Sequence, residues 1–119
     1  MQSVTSNAVS KAISYSTTEH FTGKYWIDGK PIYSKVITIS VIQPNLQSAQ
    51  NFPHGITGLD KIVKHFGNCE ITGVKRPFPY TDPSSMCNIS SWNNTDIYIF
   101  CGYQVINLEL TIEYTKTTD

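Results

Sequence analysis

Between residues 75 and 96, three aromatic residues, Phe78, Tyr80 and Trp92, are interleaved with Asp82, Asn93, Asn94 and Asp96. That mixture fits sugar recognition. A sugar presents weakly polarised C–H faces that stack on rings, and hydroxyls that need fixed amide and carboxylate partners. Aromatic side chains also bring large contact area at low rotamer entropy. A plainer role stays open to each ring, which is to pin the loop to its scaffold. Hydrolysis would need two acids about 5–9.5 Å apart in a cleft. Asp82 and Asp96 could meet, but nothing in their spacing demands it.

No other constellation stands out. GxSxG, GxxxxGK[ST], HExxH and the EF-hand loop are all absent, and no nucleophile–base pair is legible. The expectation is therefore no enzyme, no cofactor and no metal. His20, His54 and His65 are scattered. His65 and Cys69 share a face in an extended strand but sit about 13 Å apart, too far for a two-ligand clamp. Cys69, Cys87 and Cys101 are odd in number and lack CxxC spacing. They read as free, partly buried thiols from a reducing cytoplasm, with one disulfide plus a spare thiol as the alternative. The sequons at Asn88 and Asn93 read as chance in a Ser/Asn-rich loop.

The elements that must position these residues are short strands. Asp28-Gly29 sits between two runs rich in β-branched and aromatic residues, the signature of a two-residue type I′ turn. Closing the turn there pairs Ile27 with Lys30, Tyr25 with Ile32 and Phe21 with Val36, and puts Pro31 at a non-hydrogen-bonded position. Ile37, Ile39 and Val41 face away from Val36, which requires either a bulge or cover on both sides. Residues 47–58 read as a polar, turn-rich crossing. Leu59 opens a strand reaching about Ile71. Residues 72–95, with Pro77, Pro79 and Pro83, read as a long loop. Two strands close the chain, 96–104 and 108–115, the second alternating as a half-buried strand with one polar face.

At 119 residues the chain is one domain, able to bury about two-thirds of its unfolded surface. Charged residues are only 15% and the net charge is zero, so no basic excess points to nucleic acid. No apolar run approaches the roughly 20 residues of a membrane span, and no signal-peptide core opens the chain. Near-neutral charge also suits an obligate oligomer. Residues 4–14 carry Val4, Ala8, Val9, Ala12 and Ile13 at helical spacing, either a short helix or a frayed terminus.

Four segments carry a resemblance. WIDGKPIY followed by KVITI closely resembles a segment of phage tail-fibre and related tail-tip, receptor-binding proteins from gut bacteria. SVTSNAVSKAI is similar to their short lead-in, LTIEYTKTTD to their last strand, and FPHGITGLDKIV is a weaker match. These segments follow the expected order over roughly half of the chain; residues 68–103 match no such pattern.

The resemblance implies an all-β tip domain, an antiparallel jelly-roll-like β-sandwich over 19–119, preceded by a short helical lead-in and linker over 1–18. It implies a homotrimer on a virion tail fibre, made in the bacterial host cytoplasm, that holds a surface glycan or protein receptor. In it, Val9, Ile13 and Trp26 would serve the subunit interface. QSVTSNAV would then be the interior of a longer fibre. The alternative is a monomeric bacterial adhesin or carbohydrate-binding module of the same class.

Overall fold

The computed structural model describes residues 14–119. These form strands β1 (His20–Tyr25), β2 (Pro31–Ile42), β3 (Asn45–Pro53), β4 (Leu59–Ile71), β5 (Val74–Phe78), β6 (Tyr80–Thr81), β7 (Met86–Trp92), β8 (Asp96–Cys101) and β9 (Val105–Lys116). No helix occurs among the described residues. The expected helix over 4–14, with Val9 and Ile13, falls almost wholly outside them.

Two antiparallel sheets result, ordered β1-β2-β9-β4-β5 and β3-β8-β7-β6. Period-2 alternation aims Ile37 and Ile39 of β2, and Leu108, Leu110, Ile112 and Tyr114 of β9, at one face. They share a core with Cys87, Ile97, Ile99 and Cys101 of the second sheet. Burying each such aliphatic side chain contributes about 1.5–3 kcal/mol. Gly67 lets β4 lie close against β9, since a Cβ there would meet the Glu109 carbonyl oxygen at 2.1 Å.

The β1–β2 turn differs from the expected one. Gly29 N–H donates to Trp26 O and Trp26 N–H donates to Lys30 O, both at 2.9 Å. Ile27, Asp28 and Gly29 therefore form a three-residue loop, and only Gly29 has positive φ (87°). Asp28 is free of the left-handed region, and its carboxylate accepts from Lys30 N–H at 3.0 Å. The extra residue places Tyr25 opposite Pro31, and an irregularity around Gly23 puts Phe21 opposite Tyr33 rather than Val36. Pro31 still falls at a non-hydrogen-bonded position, as the first residue of its strand.

Two further expectations change, and one of the two alternatives for β2 is removed. Residues 45–53 and 86–92 are strands, not a crossing and a loop. The β2–β9 register runs unbroken from Tyr33 to Ile39, so no bulge reverses the β2 face. The polar face of β9 is buried over its second half: Thr111, Glu113 and Thr115 are all buried, with β2 and β4 on either side, while Glu109 is exposed. At its end, Tyr114 Oη donates to Glu19, and burial together with that carboxylate pushes the Tyr114 phenol well above its ordinary range.

All three cysteines are free and buried. Cys87 and Cys101 lie directly opposite each other on β7 and β8. The Cys101 thiol donates to Cys87, which lowers Cys87 to about 7 and pushes Cys101 up. We expect all three thiols to resist a thiol reagent in the native protein and to react once denaturant unfolds it. A cysteine labelled at the rate of a free thiol in native buffer would contradict this packing.

Candidate functional site

The structure divides the expected site in three. Phe78 is 2% exposed and belongs to the core, so it offers no platform. Its position at the end of β5, where the chain leaves one sheet for the other, explains the difference: a strand end aims inward where an open loop would not. Tyr80 and Asp82 lie at one end of the second sheet, and Trp92, Asn93, Asn94 and Asp96 at the other. Seven residues of β7 separate the two groups, roughly 20 Å at strand rise. Asp82 and Asp96 therefore do not meet as an acid pair.

At the first end, Asp82 organises a tight turn. Its carboxylate accepts from Tyr103 Oη at 2.7 Å, Ser85 N–H at 2.7 Å, and Ser84 N–H and Oγ at 2.9 and 3.0 Å. The Tyr103 bond, followed by the two backbone bonds, holds the carboxyl far below the usual carboxylate range. Arg76 lies over the Tyr80 ring, 5.1 Å from its centroid. The Asp82 carboxylate is taken up within its own turn, so this end is a structural knot, although the buried Arg76 Nε and Ser85 Oγ have no hydrogen-bond partner.

The sign of the Asp82 shift fixes a pH window. A carboxyl with a lowered folded-state pKa contributes stability above its unfolded value of about 3.9, and that contribution is lost as pH falls through the folded value. An NMR titration should show Asp82 still ionised where an ordinary Asp is half protonated. A midpoint near 3.9 would contradict the turn geometry.

The second end is built differently. Asn93 Oδ1 accepts from Thr95 N–H and Asp96 N–H at 2.9 and 2.8 Å, while Asn93 N–H donates to Asp96 O at 2.9 Å. Asn93 Nδ2 donates to Tyr98 Oη at 3.1 Å, and Asp96 Oδ2 accepts from Thr95 Oγ1 at 2.9 Å. Both residues thus shape the β7–β8 turn. Asn94 is exposed, and its amide makes no hydrogen bond among the described residues. Trp92 is 37% exposed, and its Nε1–H donates to Asp60 O at 3.1 Å, which fixes the indole plane.

Two residues that the sequence did not single out complete this end. His54 is 2% exposed. Its Nδ1 accepts from Ile56 N–H at 2.9 Å, so Nε2 carries the proton and donates to Asn93 O at 2.9 Å. His54 N–H also donates to Thr95 O, and Lys35 Nζ to His54 O. The crossing loop 54–58 is thereby tied to the β7–β8 turn. Asp60 pairs with Lys30 at 3.2 Å and accepts from Thr115, while Lys61 pairs with Asp28 at 3.1 Å, bringing the β1–β2 hairpin alongside. A hollow of about 350 Å³ opens between Pro53–Thr57 and Asn94–Thr95. No protein-family model, curated protein or solved structure matches the chain.

The arrangement presents one fixed aromatic ring, one free amide and a shallow, mainly apolar hollow on rigid supports. Among the described residues no three His, Cys, Asp or Glu gather as a metal site. Trp26 is half-buried at the start of its turn.

Proposed function

We propose that this chain is the tip domain of a phage tail fibre, a homotrimer that attaches to a bacterial surface glycan or protein receptor. The observation that carries the reading is the second end of the molecule: Trp92 and Asn94 offer recognition chemistry on a turn pinned by Asn93, His54 and Asp60. Preorganisation of that kind lowers the ordering cost of binding. The resemblance of the β1–β2 hairpin, the crossing loop and the last strand to tail-fibre tips supports the class of particle. A jelly-roll-like sandwich accounts for the nested β2-β9-β4 and β3-β8 pairings, with the β4–β5 and β7–β8 hairpins as local departures. Val9, Ile13 and Trp26 are the proposed subunit contacts, and several copies would strengthen weak single-site binding.

One observation favours the second reading, a monomeric adhesin or carbohydrate-binding module. The core closes within a single chain, with Leu110, Ile112 and Tyr114 fully buried. Solution mass separates the two, since a trimer is expected and a monomer at micromolar concentration counts against the fibre. Binding of the purified chain to a panel of gut bacteria tests attachment itself, and no retention above background on any of them would defeat both readings.

A further inference from the structure

Three hollows run in series over the outer face of the five-stranded sheet. The first, about 240 Å³, is lined by His20, Ser34 and Glu113. The second, about 470 Å³, is floored by Thr111 and walled by Phe66 and Tyr15. The third, about 440 Å³, ends at Asn107, Glu70 and Lys75. Tyr15 borders the first and second, while Thr38, Asn68 and Glu109 border both the second and third, so the three form one groove. It follows β9 from Asn107 to Glu113, six strand steps or about 20 Å. That length matches several linked pyranose rings.

The lining chemistry narrows the occupant. His20, Ser34 and Glu113 stand directly opposite one another across β1, β2 and β9. Ser34 is 1% exposed, yet its hydroxyl has no hydrogen-bond partner, and neither has the buried Nδ1 of His20. Unsatisfied buried groups are rare in native proteins and call for a ligand or an ordered water. In the middle of the groove the Phe66 and Tyr15 rings meet edge to face, centroids 5.7 Å apart, with Lys64 Nζ over the Phe66 ring at 5.2 Å from its centroid. Beyond it come Asn68, Thr38 and Glu109. Glu113, Glu109 and Glu70 are opposed by Lys24 and Lys75 along the same walls and by Lys64 over the Phe66 ring, three charges against three, so the groove suits neither a polyanion nor a polycation.

From this juxtaposition we propose that the outer face of the five-stranded sheet binds an internal stretch of a linear, neutral polysaccharide. The Ser34–His20–Glu113 row would exchange hydrogen bonds with ring hydroxyls, and the Phe66–Tyr15 pair would take the C–H face of a central sugar. The proposal rests on the attachment reading above but uses a surface distinct from the Trp92 end.

The test is an NMR titration of the full chain with linear neutral hexasaccharides of α-glucan, β-glucan and mannan type, with a sulfated hexasaccharide as control. At least one neutral probe should shift the Ser34, Phe66 and Asn68 signals. Phe66→Ala should weaken that probe about tenfold. Ser34→Ala, which removes only the unpartnered hydroxyl, should weaken it without lowering the melting temperature, and Trp92→Ala should leave it unchanged. The proposal is overturned if no neutral probe shifts the groove, if only the sulfated one does, or if dilution shows the groove covered by a second copy. Whole-cell binding keeps the two readings apart. Loss with Trp92→Ala but not with Phe66→Ala sinks the groove and spares attachment through the Trp92 end, while parent-level binding by both variants sinks both sites.

Discussion

Gly67→Ala is expected to destabilise the protein by about 3 kcal/mol or more, lowering the melting temperature by roughly 10 °C. The added methyl would sit 2.1 Å from Glu109 O and 3.1 Å from Leu110 Cα. Both obstacles are backbone of β9, the middle strand, and neither can swing aside as a side chain can. Relief would require β4 and β9 to part, and the fully buried Leu110 and Ile112 lie at that contact. Thermal unfolding of the variant measures the effect. A melting temperature within a degree or two of the parent would show that the strands approach less closely than described.

The second large effect is at His54. Replacement by alanine removes the acceptor of Ile56 N–H and the donor to Asn93 O, and leaves a cavity behind a ring that is almost fully enclosed. A buried donor without a partner costs about 1–3 kcal/mol, and the cavity adds to it, for a total of about 2–4 kcal/mol. The loss is local as well as global, since His54 couples the crossing loop to the β7–β8 turn. Urea unfolding should show the lower midpoint, and amide exchange should show Ile56 losing protection. Unchanged protection at Ile56 would mean that the imidazole is not its partner.

Strands with a clear apolar period were legible from the residues alone. β4 runs over the span its Leu59-to-Ile71 pattern indicates, and β8 and β9 lie where the last two alternating runs put them. Their side chains face the core, and burial imposes the pattern. β3 escaped notice because it is an edge strand paired only with β8, with most of its side chains exposed. β7 was hidden by a register shift between Ile89 and Ser91, which breaks the alternation after Cys87 and Ile89. The hairpin turn was placed correctly, but its type was not. Asp-Gly serves a three-residue loop as well as a two-residue one, and only the hydrogen bonds of Trp26 decide between them.

The candidate site was half legible for a related reason. Residues 78–96 are close in sequence, and as a loop they could converge. As a strand, β7 holds Asp82 and Trp92 apart. The partners that make the Trp92 end rigid, His54 and Asp60, come from elements far away in the chain, and no local spacing points to them. The outer groove depends on register: His20, Ser34 and Glu113 align only once three strands are paired.

Attachment through the Trp92 end is tested most directly by comparing Trp92→Ala with Asp82→Asn in whole-cell binding of the purified protein. Both residues lie on the second sheet, at opposite ends, and both variants should remain folded. The account predicts a loss of roughly tenfold or more for Trp92→Ala, the scale of a buried aromatic contact, and no change for Asp82→Asn. Parent-level binding by Trp92→Ala, or an equal loss in both variants, would contradict it.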